Sequence, residues 1–86
     1  MTKKENLIEC FKVGIDYYQK YMGILIGLPN NKQEVTIFER NCFSDKLKYY
    51  SDNYNDELQL IRNNEIHIKD FCCASSFEEI ELDILT

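Results

Sequence analysis

The period of hydrophobic and polar positions changes several times along this chain, and each change marks an element. Ile8, Phe11, Ile15, Tyr18 and Met22 recur at three–four spacing, with Leu7, Cys10, Gly14, Tyr17 and Tyr21 as a parallel row beside them. This wide apolar stripe predicts a helix from about Lys4 to Met22, ended by Gly23. Glu5, Glu9, Lys12, Asp16 and Lys20 line its polar side, with Lys12–Asp16 and Asp16–Lys20 at i,i+4 reach. Gly14 costs such a helix about 1 kcal/mol relative to alanine, so a close approach to a sheet is expected there. Ile24 to Leu28 reads as a strand, Pro29 to Gln33 as a loop and Val35 to Arg40 as the returning strand of a hairpin. Ser44 as N-cap, with Asp45 in the first turn, opens a second helix to about Tyr54. Leu47, Tyr50 and Tyr54 share one of its faces, and Asn53, Asn55 and Asp56 break it.

The last third alternates. Leu58 and Leu60 face one way, Asn63-Asn64 suits a two-residue turn because Asn tolerates positive φ, and Ile66 and Ile68 continue on a returning strand. In the final segment Ile80, Leu82 and Ile84 alternate with Glu79, Glu81 and Asp83, which is strand period. Ser75 and Ser76 followed by Glu78 and Glu79 offer the competing signal of a helix capping box. The strand reading is preferred. The sum is an α+β fold: two helices packed on an antiparallel sheet of about four to five strands, a single compact domain over residues 1–86.

Length and composition agree with this. The 86 residues suffice for one domain and not two, and an apolar content of 44%, with five Phe and six Tyr, is enough for a core. The longest apolar run, Tyr21 to Leu28, is far short of the ~20 residues a bilayer-crossing helix needs. Lys3 and Lys4 have no apolar stretch behind them, so no secretory leader is expected. Cys10, Cys42, Cys72 and Cys73 are even in number, but neighbouring Cys72 and Cys73 point to opposite faces of a strand and make a poor bridging framework. Free and mostly buried thiols in a cytoplasm are the expectation.

Charge divides the chain. Residues 1–43 carry a net +1 and residues 44–86 a net −6, giving the −5 of the whole. Clustered Lys and Arg for nucleic-acid phosphates are missing, so no direct nucleic-acid binding is expected and the natural partner is a protein with a basic surface. His67, the only histidine, must carry any histidine-dependent mechanism. No family motif surrounds it or any cysteine, so a strand histidine without chemistry is favoured. Zinc ligands at loop-forming spacing are lacking, as are a phosphate loop and an activated nucleophile. The expectation is a non-enzyme with no metal and no cofactor. The candidate partner-binding surface joins Tyr49, Tyr50, Asp52, Tyr54, Asp56 and Glu57 to Glu78, Glu79, Glu81 and Asp83. Tyrosine supplies contact area at low entropic cost, and carboxylates supply steering.

The segments Tyr54-Asn55-Asp56-Glu57-Leu58 and Ile66-His67-Ile68-Lys69-Asp70-Phe71, with the Asn-, Lys- and Ile-rich usage around them, resemble small accessory proteins of phages and mobile elements. Within that class, small acidic α+β chains without catalytic motifs are similar to anti-CRISPR proteins. The resemblance implies an inhibitor in the host cell cytoplasm, a monomer or homodimer, that blocks a basic nucleic-acid-binding surface of a host defence effector. It carries over no functional residue by position. Two rival readings are a protein sequestering a small nucleotide signal and a toxin or bacteriocin immunity protein. Against the first, only Arg40 and Arg62 are available as bidentate donors.

Overall fold

A computed structural model describes residues 1–85. It is an α+β fold with three helices and a four-stranded antiparallel sheet. Helix α1 spans Lys3–Asp16, strand β1 Tyr21–Leu28, β2 Lys32–Glu39, helix α2 Phe43–Asn53, β3 Gln59–Leu60, β4 Asn63–Ala74 and helix α3 Phe77–Leu85. A single 3₁₀ turn, Arg40–Cys42, joins β2 to α2. The strand order is β2-β1-β4-β3, which leaves β2 as a full-length edge.

The first helix starts on a capping box: Glu5 N–H donates to Thr2 Oγ1, and the Glu5 carboxylate accepts from Thr2 N–H, both at 3.1 Å. It stops at Asp16 and does not reach Met22, so the predicted helix ran too far. Gln19 N–H donates to Gly14 O at 2.9 Å and Tyr18 N–H to Ile15 O at 3.3 Å, a Schellman ending with Tyr18 at φ 56°. A tyrosine in this left-handed conformation costs on the order of 1–2 kcal/mol. Arg40, at the start of the 3₁₀ turn after β2, offsets it. Its guanidinium donates to Ile15 O at 2.6 Å, Gly14 O at 3.0 Å and Gln19 O at 3.4 Å, and lies 4.8 Å from the centre of the Tyr18 ring. A cation on the last helical carbonyls also meets the negative end of the helix dipole.

Gly23 does not end a helix; it sits in the middle of β1. The predicted hairpin of β1 and β2 forms, in register from Tyr21↔Glu39 to Leu28↔Lys32, with Asn30 and Asn31 at φ 65° and 61° in its tip. Asn supplies that geometry because its short polar side chain tolerates positive φ. Ser44 is not the cap of α2. Cys42 takes that position without a side-chain bond, because the 3₁₀ turn already leads the backbone into the helix. Leu60 pairs with Asn63, so the β3–β4 turn falls on Ile61 and Arg62 rather than on Asn63-Asn64. Asn63 instead accepts from Glu65 N–H through its side chain, at the start of β4.

The C-terminal segment is a helix and not the preferred strand. Ser76 Oγ accepts from Glu79 N–H at 3.3 Å, so the capping signal prevailed. The sheet thus has a core on each face. On one, Leu7, Phe11, Phe43, Tyr50 and Tyr54 pack with Met22, Ile24, Phe38 and Ile68. On the other, Ile80 and Ile84 of α3 pack with Leu25 and Ala74. Gly14 approaches the sheet as expected: an added Cβ would stand 3.3 Å from Cys73 Cβ and from Phe43 Cε2. Among the described residues no helix is long and apolar enough to cross a membrane.

Candidate functional site

Helix α3 is the most strongly charged element left facing outward. Ile80 and Ile84, four residues apart, point together into the sheet and are 0% and 8% exposed. Fixing that stripe turns Glu78, Glu79, Glu81 and Asp83 to solvent, where all four are exposed. Glu78 and Glu79 lie in the first turn, where the helix dipole favours negative charge. The ion pairs among the described residues are Lys3–Glu57 at 3.9 Å and Lys48–Asp52 at 3.3 Å, so no cation neutralises the four α3 carboxylates. Phe77, at the start of the helix, packs edge-on to Tyr21 at 6.1 Å and remains half-exposed. Leu82 is exposed beside the carboxylates. Acidic and apolar groups therefore share one rigidly seated surface.

The other predicted contact residues divide. Tyr49 is exposed on α2 with its ring against Tyr50, and Asp52, Asp56 and Glu57 are exposed nearby in sequence. Two of these acids are already paired, Asp52 with Lys48 and Glu57 with Lys3. Tyr50 and Tyr54 are each only 3% exposed and belong to the core, so neither is available to a partner. Their spacing with Leu47 defined the buried face of α2 rather than a contact face. This group lies with α1 and α2 on one face of the sheet, and α3 lies on the other. The ten residues do not form one surface.

Two exposed features escaped the sequence pattern. Leu82 leaves the Ile80–Ile84 stripe only if the segment is read as a helix, a reading that its serine cap supported; Phe77, three residues before Ile80, joins that stripe in a helix but stays half-exposed at its start. Tyr17 and Tyr18, counted in the apolar stripe of α1, are 72% and 78% exposed where the helix has ended. No local signal marked this, because the closing group is Arg40, distant in sequence.

All four cysteines are free and half-buried, less enclosed than expected. Cys73 lies on the α1 side of the sheet, beside Gly14 and Cys10, and Cys72 lies among the residues packed under α3. His67 makes no hydrogen bond to a thiol among the described residues. Burial, with the neighbouring Cys73 thiol, pushes Cys10 up to about 12, and burial with Asp83 pushes Cys72 up to about 11. Burial, with Tyr54 and Tyr49 beside it, pushes Tyr50 up to about 12. These folded groups hold protons that the unfolded chain releases near the ordinary values of about 9 for Cys and 10 for Tyr. Stability should therefore be full below pH 9 and fall progressively from about pH 9 to 12. Urea midpoints measured across that range should decline, and Cys10→Ser should flatten the first part of the decline. A midpoint constant up to pH 11 would contradict this assignment.

No protein-family model, no curated protein sequence and no solved structure matches this chain.

Proposed function

We propose that this chain is a stoichiometric inhibitor that docks α3 on a basic, nucleic-acid-binding surface of another protein, without catalytic turnover. The observation that carries the reading is the outward row of Glu78, Glu79, Glu81 and Asp83, without a cationic partner, flanked by exposed Phe77 and Leu82. Carboxylates on a helix can stand where phosphates stand opposite Lys and Arg, while an exposed ring packs where a base would stack. The resemblance to phage and mobile-element accessory proteins directs the partner toward a host defence effector, in the manner of an anti-CRISPR protein. The site's centre of gravity is α3. The α2–β3 acids lie on the other face and are partly neutralised by Lys3 and Lys48.

The test uses a partner captured from host lysate that loses DNA or RNA binding when this chain is added. Glu81→Lys with Asp83→Lys places cations near the end of α3, where the helix dipole tolerates them, so the fold should hold. Association should slow at least about tenfold at physiological salt, and the difference should shrink as salt rises. Glu9→Lys on α1 should change it little. Equal sensitivity at Glu9 would mean that only net charge matters, and binding unchanged through molar salt would remove the electrostatic mechanism.

A further inference from the structure

The register of the sheet aligns one residue from each strand in a row: Gln33 on β2, Gly27 on β1, His67 on β4 and Gln59 on β3. Gly27 leaves the middle of this row bare, and the His67 imidazole occupies the space. A Cβ at position 27 would stand 2.7 Å from Cε1 and 2.9 Å from Nε2 of that ring. The stem of Lys69 also passes over the glycine, with Cδ 3.0 Å from the same point, and its ammonium is held by Gln33 Oε1 at 3.1 Å. Imidazole and lysine stem thus lie together over the Gly27 backbone, which is buried beneath them.

Beside them opens a hollow of about 320 Å³, lined by Gly27, Leu28, Asn31, Lys32, His67 and Lys69. It contains two lysines, a histidine and an amide, and no carboxylate. In a chain of net charge −5, this hollow is lined only by cationic and neutral groups, as is a neighbouring one of about 400 Å³ that shares His67 and Lys69. His67 also walls a larger hollow of about 630 Å³, where Pro29 and Ile68 offer apolar contact and Gln59 and Asn64 offer amides. Glu57 and Glu65 line that second hollow only.

We propose that the Gly27 hollow binds a phosphoryl group, held by Lys32, Lys69 and His67, and that the adjoining hollow accommodates the nucleoside of a mononucleotide. Charge-assisted bonds from ammonium to phosphate oxygen are among the stronger ones available at a partly open site. With no side chain at Gly27, the His67 ring and the Lys69 stem lie close against the strand, which sets both at the wall of the hollow. The amides of Gln59 and Asn64 both donate and accept, as recognition of a base edge or ribose requires, and the two carboxylates can accept from ribose hydroxyls. The site is independent of α3 and of the docking function proposed above.

Titration of the full chain with inorganic phosphate, AMP and adenosine, followed by NMR, tests this. Phosphate should shift the His67 ring and the Gly27 amide saturably. AMP should also shift the side-chain amides of Gln59 and Asn64 and bind at least about tenfold tighter, the worth of a hydrogen bond to a charged group. His67→Gln and Lys69→Gln should each weaken phosphate about tenfold while leaving the rest of the spectrum folded. Tightening by AMP supports a nucleotide as the ligand, and equal affinity for phosphate and AMP overturns the nucleoside half of the proposal. Three outcomes overturn the proposal: adenosine binding as tightly as AMP, chloride at equal ionic strength reproducing the phosphate shifts, or no saturation below about 10 mM phosphate.

Discussion

Gly23→Val should release α3 from the sheet and cost about 3–5 kcal/mol, because no space exists for a side chain there. An added Cβ would stand 2.4 Å from Ile80 Cγ2 and 2.8 Å from Ile84 Cδ1. The Ile84 atom is a flexible tip that can rotate away. The Ile80 methyl is attached at a branched Cβ and can retreat only if the helix moves. Overpacking alone costs roughly 1–3 kcal/mol, and lifting Ile80 and Ile84 out of contact forfeits much of the ~1.5–3 kcal/mol that burying each isoleucine contributes. The effect should be local. Amide-exchange protection across α3 should fall to that of a frayed segment while β1, β4 and α1 stay protected, since the latter pack through the opposite core. The same variant should lose partner binding if a seated α3 is the docking element. A variant as stable as the parent, with α3 still protected, would mean that the helix does not depend on the bare strand beneath it.

Phe11→Ala should have a comparable cost with a global outcome. Phe11 is 0% exposed, its ring stacked on Phe38 at 5.9 Å and edge-on to Phe43 at 6.1 Å, with Tyr50 at 6.3 Å. Four rings from α1, β2 and α2 meet at this point, so the cavity left by truncation cannot be filled by one neighbour. Phenylalanine-to-alanine changes in such sites cost about 3–5 kcal/mol, against a total of roughly 4–13 kcal/mol for a domain of this size. Tm should fall on the order of 20 °C, with all elements melting together. Val13→Ala, on the exposed side of the same helix, should shift it by no more than a degree or two. Similar shifts for the two variants would show that the aromatic cluster is not the centre of the fold.

Most of the fold class could be read from local pattern, and the departures share a cause. The β1–β2 hairpin and α2 are locally consistent, with turn residues at the tip and apolar residues on one period. Helix α1 was read too long because Tyr18 and Met22 continue its three–four spacing by coincidence. Met22 in fact begins the alternation of β1, and the boundary is fixed by Arg40, a contact across the chain. Gly23 resembled a helix terminator because its actual reason, Ile80 lying against it, comes from the opposite end of the sequence. The last segment was undecidable by period. Ile80 and Ile84 satisfy both a strand and a helix, and only the burial of those two with Leu82 exposed distinguishes them. The candidate site inherited these errors. Carboxylates on α3 were identified as residues but not as one helical face, and Tyr50 and Tyr54 were assigned outward although their shared face with Leu47 already marked the buried side of α2.

The unpaired edge of β2 bears on whether copies of this chain associate. Two edges related by a two-fold axis pair antiparallel with faces preserved, so even positions of β2 can oppose only even ones and odd only odd. Centred on Val35, such a pairing sets Lys32 against Phe38; centred on Thr36, it sets Glu34 against Phe38 and Gln33 against Glu39. Opposite charges meet, Lys32 with Glu34, only when the strands overlap by their first three residues. Every longer register sets a charge against an aromatic, aliphatic, hydroxyl or amide side chain, or Glu34 against its own copy, giving up the cross-strand gains that stabilise a sheet. The charges on this edge thus disfavour self-templating, in which its backbone donors and acceptors would pair with a second copy in a continuous sheet.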